Sequence, residues 1–202
     1  MGKIVKIEVS ARHVHLSEPD FEILFGNGAE LAFEKGLSQP GQFKAQQKVA
    51  VVGPKGSFDE VAIIGPFREK TQVEISVTDA KKLGLNPPIR GSGDLEGSER
   101  CKIVGPNGTI ELGEGVIVSK RHLHLSVEDA MQMKIENGET VCVKVRTQER
   151  SLIFDDVVAR VSYNFVEAMH IDTDEANAMG FSGNVFGEIM KKEREKADEH
   201  MA

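Results

Sequence analysis

Two similar segments of this sequence each place two histidines one residue apart. They read Ser10-Ala-Arg-His-Val-His-Leu-Ser17 and Ser119-Lys-Arg-His-Leu-His-Leu-Ser126. Because residues i and i+2 of a β-strand project from one face, His13 with His15, and His122 with His124, can each present two imidazoles to one metal ion. Zinc accepts histidine nitrogen, although nickel, cobalt or iron could use the same ligands. The repeat therefore predicts two metal-binding histidine pairs.

A second, weaker repeat adds one candidate ligand to each half of the chain. The strand-like run 72–77 carries Glu74, and the run 167–172 carries His170. Each run leads into a Thr-Asp pair that we interpret as a helix cap, although the offset from ligand to cap differs by one residue between the halves. These pairs are Thr78-Asp79 and Thr173-Asp174. Taken alone, Glu74 could equally be an exposed carboxylate and His170 a packed core histidine, so their interpretation as ligands depends on the repeat.

The arginines near these segments fall into two groups. Arg12 and Arg121 directly precede the histidines, so they should face away from the metals and form structural salt bridges. Arg68 instead follows a Gly-Pro turn and leads into the strand that carries Glu74. A guanidinium there can bind a phosphate through two parallel hydrogen bonds, although a surface arginine is an equal alternative.

The sequence predicts no protein nucleophile. Cys101 and Cys142 have no adjacent histidine or basic residue that would lower the pKa of a thiol, and both are interpreted as packing residues.

Composition narrows the class of partner. The chain of 202 residues has a formal net charge of −7, one tyrosine and no tryptophan, which disfavours nucleic acid as a partner. An anionic substrate would need a local basic pocket. No apolar run approaches the roughly 20 residues that cross a bilayer, so no membrane partner is predicted. Two cysteines, with no leader before the first strand-like run, favour a cytoplasmic protein.

The remaining pattern is mostly β. Capping serines at positions 17 and 126 start a helix after each histidine pair, and Gly and Pro residues predict hairpins at 49–57 and 102–109. Further strands are predicted at 141–146, 152–157 and 159–163, and a turn-rich loop at 86–98. Short strands with few long helical patterns favour a mainly β fold, with two small β-barrels capped by short α-helices and related by internal duplication.

From about Val9 to Gly180, the chain resembles the PduL-type phosphotransacylases, the phosphate propanoyltransferase family. The resemblance depends on both histidine segments and on four further motifs. These are Leu37-Ser-Gln-Pro-Gly-Gln-Phe43, Gly65-Pro-Phe-Arg with Thr71-Gln-Val-Glu-Ile-Ser76, Gly91-Ser-Gly-Asp-Leu-Glu-Gly-Ser98, and Met169-His-Ile-Asp-Thr-Asp-Glu-Ala-Asn-Ala178.

The resemblance implies a division of the chain into two barrels with a two-zinc site between them. One barrel would comprise residues 1–11 and 120–190, and the other residues 12–119. Residues 191–202 would form a charged tail. The resemblance also implies a homodimer or a higher homo-oligomer.

The resemblance assigns roles to particular residues. His13 and His15 would hold the zinc that faces the coenzyme A sulfur, and Glu74, His122, His124 and His170 would hold the second zinc. Arg68 would be catalytic and would bind phosphate, with Ser92 nearby. Ser10, Lys35 and Asn177 would contact coenzyme A.

The ends of the chain differ from many members of that family. Members that enter bacterial microcompartments usually carry an amphipathic N-terminal extension, whereas the first strand here begins almost at the first residue. This favours a free cytoplasmic enzyme and leaves a microcompartment location as the alternative. The segment 181–190 also departs from the usual ending, so a targeting role for it stays open.

The predicted activity is zinc-dependent exchange between acyl-coenzyme A plus phosphate and acyl phosphate plus coenzyme A, by direct attack of phosphate on the thioester. The acyl group would be propanoyl or acetyl. A metal-dependent hydrolase is the alternative enzyme, since a His-x-His pair also activates water, but its usual barrel needs about 250 residues. A zinc-stabilised or metal-storage module is the non-enzymatic alternative, for which closed ligand sets are expected.

Overall fold

The computed structural model describes residues 2–191, which form fourteen strands and four short helices. The strands are β1 (Ile4–Val9), β2 (His13–His15), β3 (Phe33–Gly36), β4 (Phe43–Val52), β5 (Ser57–Gly65), β6 (Gln72–Glu74), β7 (Ile89–Arg90), β8 (Glu99–Val104), β9 (Thr109–Ser119), β10 (His122–Leu125), β11 (Thr140–Val145), β12 (Leu152–Val161), β13 (Ala168–Ile171) and β14 (Phe186–Lys191). The helices are α1 (Glu18–Phe25), α2 (Val77–Leu83), α3 (Val127–Met133) and α4 (Thr173–Ala178).

The strands close into two six-stranded barrels. Barrel 1 has the strand order β1-β13-β10-β12-β11-β14. Barrel 2 has the order β4-β5-β2-β6-β9-β8, with β8 pairing back onto β4, while β3 and β7 extend its sheet at β4 and β9. The predicted fold class, two small β-barrels with short helices, is confirmed.

The chain crosses between the barrels twice. Strand β1 belongs to barrel 1 and the next strand, β2, to barrel 2, whereas β9 belongs to barrel 2 and β10 to barrel 1. This strand membership supports the division that we propose, with residues 1–11 and 120–190 in one barrel and 12–119 in the other. Strand β14 comes from the C-terminal segment and closes barrel 1. The predicted tail, apart from Lys191, lies outside the described residues.

Alternation along β2 and β10 turns the histidines out of the barrel cores. Val14 and Leu123, which separate the two histidines of each pair, are fully buried in the cores of barrel 2 and barrel 1 respectively. Because neighbouring side chains of a strand point to opposite faces, the histidines must project from the outer surface of each barrel. Apolar packing therefore fixes which face of each strand carries the metal-binding groups.

Each helix begins immediately after a short strand that carries candidate ligands. The predicted caps Ser17 and Ser126 are confirmed, since each hydroxyl accepts a hydrogen bond from the backbone N–H three residues ahead. The predicted Thr-Asp caps are wrong: the caps are Ser76 for α2 and Asp172 for α4. Each of these caps lies two residues beyond the candidate ligand of its strand, so the second repeat is exact rather than offset.

Two strands predicted from the sequence form one strand in the structure. The runs expected at 152–157 and 159–163 both belong to β12, which ends at Val161. Asp156 adopts a left-handed conformation with φ 55°, at an irregularity in the pairing of β11 with β12. A β-bulge adds a residue and interrupts the alternation without ending the strand. The hairpins predicted at 49–57 and 102–109 are confirmed as β4–β5 and β8–β9.

No helix within residues 2–191 is long and apolar enough to cross a membrane.

Candidate active site

The two barrels present their candidate ligands through equivalent strand pairs. In barrel 2, β2 runs antiparallel to β6 and places His13 opposite Glu74. In barrel 1, β10 runs antiparallel to β13 and places His122 opposite His170. The internal duplication therefore extends from sequence to strand register, and it places Glu74 and His170 at equivalent positions.

The first cluster comprises His13, His15 and Glu74, all of which are buried. Nε2 of His13 lies 3.7 Å from Oε1 of Glu74, and Nε2 of His15 lies 3.9 Å from the same oxygen. The two rings stand nearly perpendicular, with their centroids 4.9 Å apart. One carboxylate oxygen and two imidazole nitrogens therefore converge on one point.

The second cluster comprises His122, His124 and His170. The centroid of the His124 ring lies 4.8 Å from the centroids of both other rings, and those of His122 and His170 are 5.2 Å apart. A carboxylate oxygen of Glu8, on β1, lies 3.6 Å from Nε2 of His170. Three imidazoles thus converge here, with one acid at the edge.

Glu74 lies with a different cluster from the one that the resemblance implied. The expected partition gave Glu74 to the three histidines of barrel 1, whereas in the structure it completes the group formed by His13 and His15. The reason is the β2–β6 register, which sets Glu74 directly opposite His13. In each cluster of described residues, two histidines of one strand and one ligand of the neighbouring strand form a set of three.

The hydrogen bonds of the histidines fit metal binding. Nδ1 contacts a backbone carbonyl in His13 (Ala11, 2.9 Å), in His15 (Ile64, 3.0 Å) and in His122 (Lys120, 2.9 Å). A carbonyl can only accept, so Nδ1 must donate and Nε2 keeps its lone pair. Metal-ligating histidines are commonly oriented by such a second hydrogen bond.

Two buried nitrogens of the second cluster also point to a missing partner. Nδ1 of His124 and Nε2 of His170 are buried and have no hydrogen-bond partner among the described residues. Buried polar atoms are rarely left without a partner, since this costs free energy. The donor set of imidazole and carboxylate suits a divalent transition metal such as zinc. Both clusters could therefore hold a metal ion.

Most of these histidines are neutral at neutral pH. Burial, and then the neighbouring His13 and Arg68, lower the pKa of His15 to about 3. Burial followed by nearby imidazoles lowers the pKa of His124 to about 2 and that of His170 to about 4. A neutral imidazole is the form that binds a metal ion.

Glu74 is ionised. Burial raises the pKa of its carboxyl group, but interactions with His13, and then with His15 and the Ser92 hydroxyl, outweigh burial and hold the pKa well below its usual value. In return, Glu74 raises the pKa of His13, although burial acts in the opposite direction. A buried anion thus lies between the two imidazoles of the first cluster.

A short chain of hydrogen bonds connects Arg68 to this anion. Nη1 of Arg68 donates to Oγ of Ser92 at 2.8 Å, and the Ser92 hydroxyl donates to Oε1 of Glu74 at 2.7 Å. Gln72 donates to both Ser92 and Glu74, and its own carbonyl accepts from the backbone N–H of Gly93 at 2.7 Å. Ser92 therefore orients Arg68 and Glu74 together, and the loop 86–98 contributes to the site.

Both clusters and Arg68 line one cavity of about 790 Å³. Six basic side chains and two glutamates, Glu8 and Glu74, lie among the described residues that line it. The basic residues are Lys6, Arg12, Lys35, Lys44, Arg68 and Arg160. The local basic pocket that an anionic substrate requires is thus present, although the chain carries a formal net charge of −7.

The structure brings two of the three residues expected to contact coenzyme A to this cavity. Ser10 lines it directly after β1, and Lys35 lines it from β3 with an exposed side chain. Asn177 lies on the exposed side of α4 and is not among the residues that line the cavity. The assignment of all three to coenzyme A stays a prediction.

The salt bridges predicted for the two repeat arginines are confirmed, although Arg12 also lines the cavity. Arg12 binds Asp79 of α2 through two hydrogen bonds of 2.9 and 3.2 Å, and its guanidinium lies 4.1 Å from the centroid of the Phe58 ring. Arg121 binds Glu175 of α4 at 3.0 Å. In each half, the arginine just before a histidine-bearing strand thus binds a helix. That helix is the one that follows the strand paired with the histidine-bearing strand.

We expect Arg12→Gln to lower the free energy of unfolding by about 1–3 kcal/mol, because Asp79 is buried and loses a charged partner. Urea unfolding monitored by circular dichroism measures this loss. The metal content and the KM for phosphate should stay unchanged. Arg100→Gln, on the exposed face of β8, is the matched control. A raised KM for phosphate with unchanged stability would contradict a structural role.

The cysteines lie away from the reacting groups. Cys101 is buried in barrel 2, and burial raises the pKa of its thiol to about 12. Sγ of Cys142 lies 3.3 Å from a carboxylate oxygen of Asp155. Among the described residues that line the cavity there is no cysteine. The prediction of a packing residue is confirmed for Cys101, whereas Cys142 is only partly buried and belongs to neither core.

Sequence reasoning missed several charged residues that line the cavity, and two of them lie beside the second histidine cluster. Glu8 precedes the first histidine segment, but the equivalent residue before the second histidine segment is Ile117. The repeat of the histidine segments therefore gave no signal for Glu8. Arg160 lies one residue before the end of β12, beside His124. A lone charged residue within the apolar run 157–161 was the available signal for Arg160.

Comparison with known proteins places these features among relatives. The family model described as phosphate propanoyltransferase matches residues 6–182. The phosphate propanoyltransferase of Listeria monocytogenes is 46% identical over 192 residues, which cover 95% of this chain and 90% of that protein. Those of Thermotoga maritima and Clostridioides difficile are 51% and 50% identical over 172 and 188 residues, covering 85% and 93% of this chain and 82% and 90% of theirs. The similarity thus spans both barrels.

Proposed function

Because the chain belongs to the phosphate propanoyltransferase family, whose members are phosphotransacylases, we propose that it interconverts a short-chain acyl-coenzyme A and phosphate with an acyl phosphate and coenzyme A. The acyl group is propanoyl or acetyl. The observation that carries this proposal is the cavity between the barrels, where two potential metal sites and Arg68 face the same space. Phosphate and coenzyme A are both anions, and six basic residues line this space.

We propose zinc as the metal, with two ions per chain. One ion would be held by His13, His15 and Glu74, and the other by His122, His124 and His170, the two groups of converging ligands. Bound zinc would supply a Lewis acid able to polarise the thioester carbonyl or to stabilise the leaving thiolate. Each set offers three protein ligands, the number that catalytic zinc sites use while they keep one position open.

The residues of the chain bind and orient the reactants. Arg68 donates hydrogen bonds to phosphate, and Ser92 holds the guanidinium toward the cavity. A phosphate oxygen attacks the thioester carbonyl carbon and forms a C–O bond, and the C=O π electrons move onto the carbonyl oxygen. When the C=O bond re-forms, the C–S bond breaks and the sulfur leaves with its electron pair as coenzyme A thiolate. The proton of hydrogen phosphate goes to this thiolate or to solvent. The guanidinium stays charged throughout and offsets the negative charge of phosphate and of the tetrahedral oxyanion.

The test is an assay of thiol release from acetyl- or propanoyl-coenzyme A with and without phosphate, on protein of measured metal content. We expect release that depends on both metal and phosphate, with formation of acyl phosphate. Release without phosphate would favour a metal-dependent hydrolase. No release from metal-loaded protein would favour a metal-storage module, and either result would overturn the proposed function.

Direct transfer requires no covalent acyl-enzyme, so we expect Cys101→Ala and Cys142→Ala to keep kcat within about threefold of the wild-type value. The substitutions change packing but remove no group that lines the cavity. Steady-state rates on folded, metal-loaded variants measure this. If either substitution abolished turnover in such a protein, direct attack by phosphate would be wrong.

The homodimer or higher homo-oligomer that the resemblance implies stays a prediction, as does the choice between propanoyl and acetyl.

A further inference from the structure

Arg160 differs from the other arginines of the cavity because it has no hydrogen-bond or ion-pair partner within residues 2–191. Arg12 binds Asp79, and Arg68 binds Ser92. Among the described residues, Arg160 makes no hydrogen bond and no ion pair, and its one recorded contact with an aromatic ring is with Phe165, whose centroid lies 5.9 Å from Cζ. A guanidinium carries five N–H donors, and holding it partly buried without acceptors costs free energy.

The position of Arg160 on the barrel directs it toward the reacting groups. Strands β10 and β12 are parallel, and their register sets Arg160 beside His124, on the face of barrel 1 that carries the second histidine cluster. The ring of Phe165 packs against His124 with the centroids 4.2 Å apart and also lies next to the guanidinium. One aromatic ring therefore positions both a candidate metal ligand and the unpaired cation.

Arg160 and Arg68 act on the same space from opposite barrels. Both line the cavity. The pKa of Arg68 is lowered, first by burial and also by the positive charge of Arg160, so the two guanidinium groups repel each other across the cavity. An anion bound between two such cations removes the repulsion and satisfies their donors.

The internal duplication does not account for Arg160. In barrel 2, His13 pairs with Ala62, and in barrel 1, His122 pairs with Val158. Two residues further along, Arg160 therefore corresponds to Ile64, which is apolar. The cation occurs in one half only, as expected of a group that serves a single ligand in the shared cavity rather than one that holds each barrel together.

We propose that Arg160 is a second guanidinium that binds the transferring phosphate group, from the side of barrel 1, opposite Arg68. This inference depends on the proposed function, which supplies phosphate and acyl phosphate as ligands. Inorganic phosphate carries up to two negative charges near neutral pH, and Arg68 alone offsets one of them. With two arginines, both charges have a partner, and the anion is held from both barrels.

The test compares Arg160→Gln and Arg160→Lys with the wild type and with Arg100→Gln, an exposed strand arginine outside the cavity. For Arg160→Gln we expect the KM for phosphate to rise by about 10- to 100-fold, the effect of losing a charge-assisted hydrogen bond. The KM for acetyl-coenzyme A should change by less than about twofold. Arg160→Lys keeps the charge but loses the planar group of donors, so its KM for phosphate should be intermediate. The control variant should match the wild type.

A truncated thioester separates the two phosphate-bearing ligands. Acetyl-pantetheine lacks the phosphates of coenzyme A, so the rise in the KM for phosphate should persist with this substrate. A higher KM for acetyl-coenzyme A with an unchanged KM for phosphate would overturn the proposal, because the guanidinium would then serve coenzyme A. If Arg160→Gln does not fold, Arg160→Lys decides, and an unchanged KM for phosphate in that variant overturns the proposal.

Direct binding separates this inference from the proposed function. Calorimetric titration of metal-loaded protein with inorganic phosphate should give weaker binding by the same factor in Arg160→Gln, even if the wild type shows no transferase activity. Equal phosphate affinity in the two proteins would contradict the role of Arg160. Absence of turnover in the wild type, with phosphate affinity still dependent on Arg160, would overturn the proposed function alone.

Discussion

Replacing His124 with alanine is expected to lower the zinc content by about one ion per chain and kcat/KM by about 1000-fold or more, the loss typical when a group that stabilises transition-state charge is removed. His124 is the histidine that lies equally close to both other members of its cluster, at 4.8 Å between ring centroids. Without it, two imidazoles would remain, and they would hold a metal ion only weakly. Elemental analysis after dialysis and steady-state rates measure the two effects.

The chain offers a matched control for this experiment. His200 is the one histidine outside the two repeats, and it lies outside the described residues. His200→Ala should keep both the metal content and kcat/KM of the wild type. Unchanged zinc in His124→Ala would contradict the ligand assignment, and unchanged turnover after loss of the metal would contradict a catalytic role for it.

Arg68→Ala is expected to lower kcat/KM for phosphate by about 100- to 1000-fold, because a charged donor aimed at the phosphate is lost. The KM for acyl-coenzyme A should change little. Arg68→Lys should lose about tenfold, since an ammonium keeps the charge but cannot make two parallel hydrogen bonds. Initial rates over a matrix of phosphate and acyl-coenzyme A concentrations separate these parameters.

Ser92→Ala tests how Arg68 is oriented. It removes the hydroxyl that accepts from Arg68 and donates to Glu74, but it leaves both charges in place. We expect a loss of about tenfold in kcat/KM for phosphate, smaller than the loss in Arg68→Ala. An Arg68→Ala variant with normal phosphate kinetics would contradict the phosphate role, and a larger effect in Ser92→Ala would give that role to the serine.

Repeats and alternation predicted much of the fold. Two copies of the His-x-His segment indicated duplication, and the capping serines located α1 and α3. The local sequence pattern divided β12 wrongly into two strands, because Asp156 interrupts the alternation of buried and exposed side chains without ending the strand. The pattern also failed for α2, because Thr78 looks like a cap although Ser76 is the residue whose hydroxyl accepts from the backbone N–H of Asp79. Both errors concern the end of a strand, which depends on backbone pairing with the neighbouring strands.

The sequence predicted those residues of the site that lie in the duplicated segments. All six candidate ligands lie in repeated segments, and the structure brings them into one cavity. The sequence could not show which cluster contains Glu74. The answer depends on the register between β2 and β6, two strands that are far apart in sequence. Arg160 was missed because it belongs to one half only, and the pairing of β10 with β12 places it beside His124.

The two halves of the chain exchange their first strands, since β1 belongs to barrel 1 and its equivalent β9 belongs to barrel 2. This exchange affects the order in which the two barrels can be completed during synthesis. Strands β2 to β9 supply all six strands of barrel 2 within one continuous stretch of chain. Strand β1 leaves the ribosome before any strand of barrel 2, but its partners in barrel 1, β13 and β14, come after barrel 2 in the chain. Pairings so distant in sequence form late. Strand β1 therefore stays without its partners until all of barrel 2 has been made, and Glu8 cannot reach His170 before then.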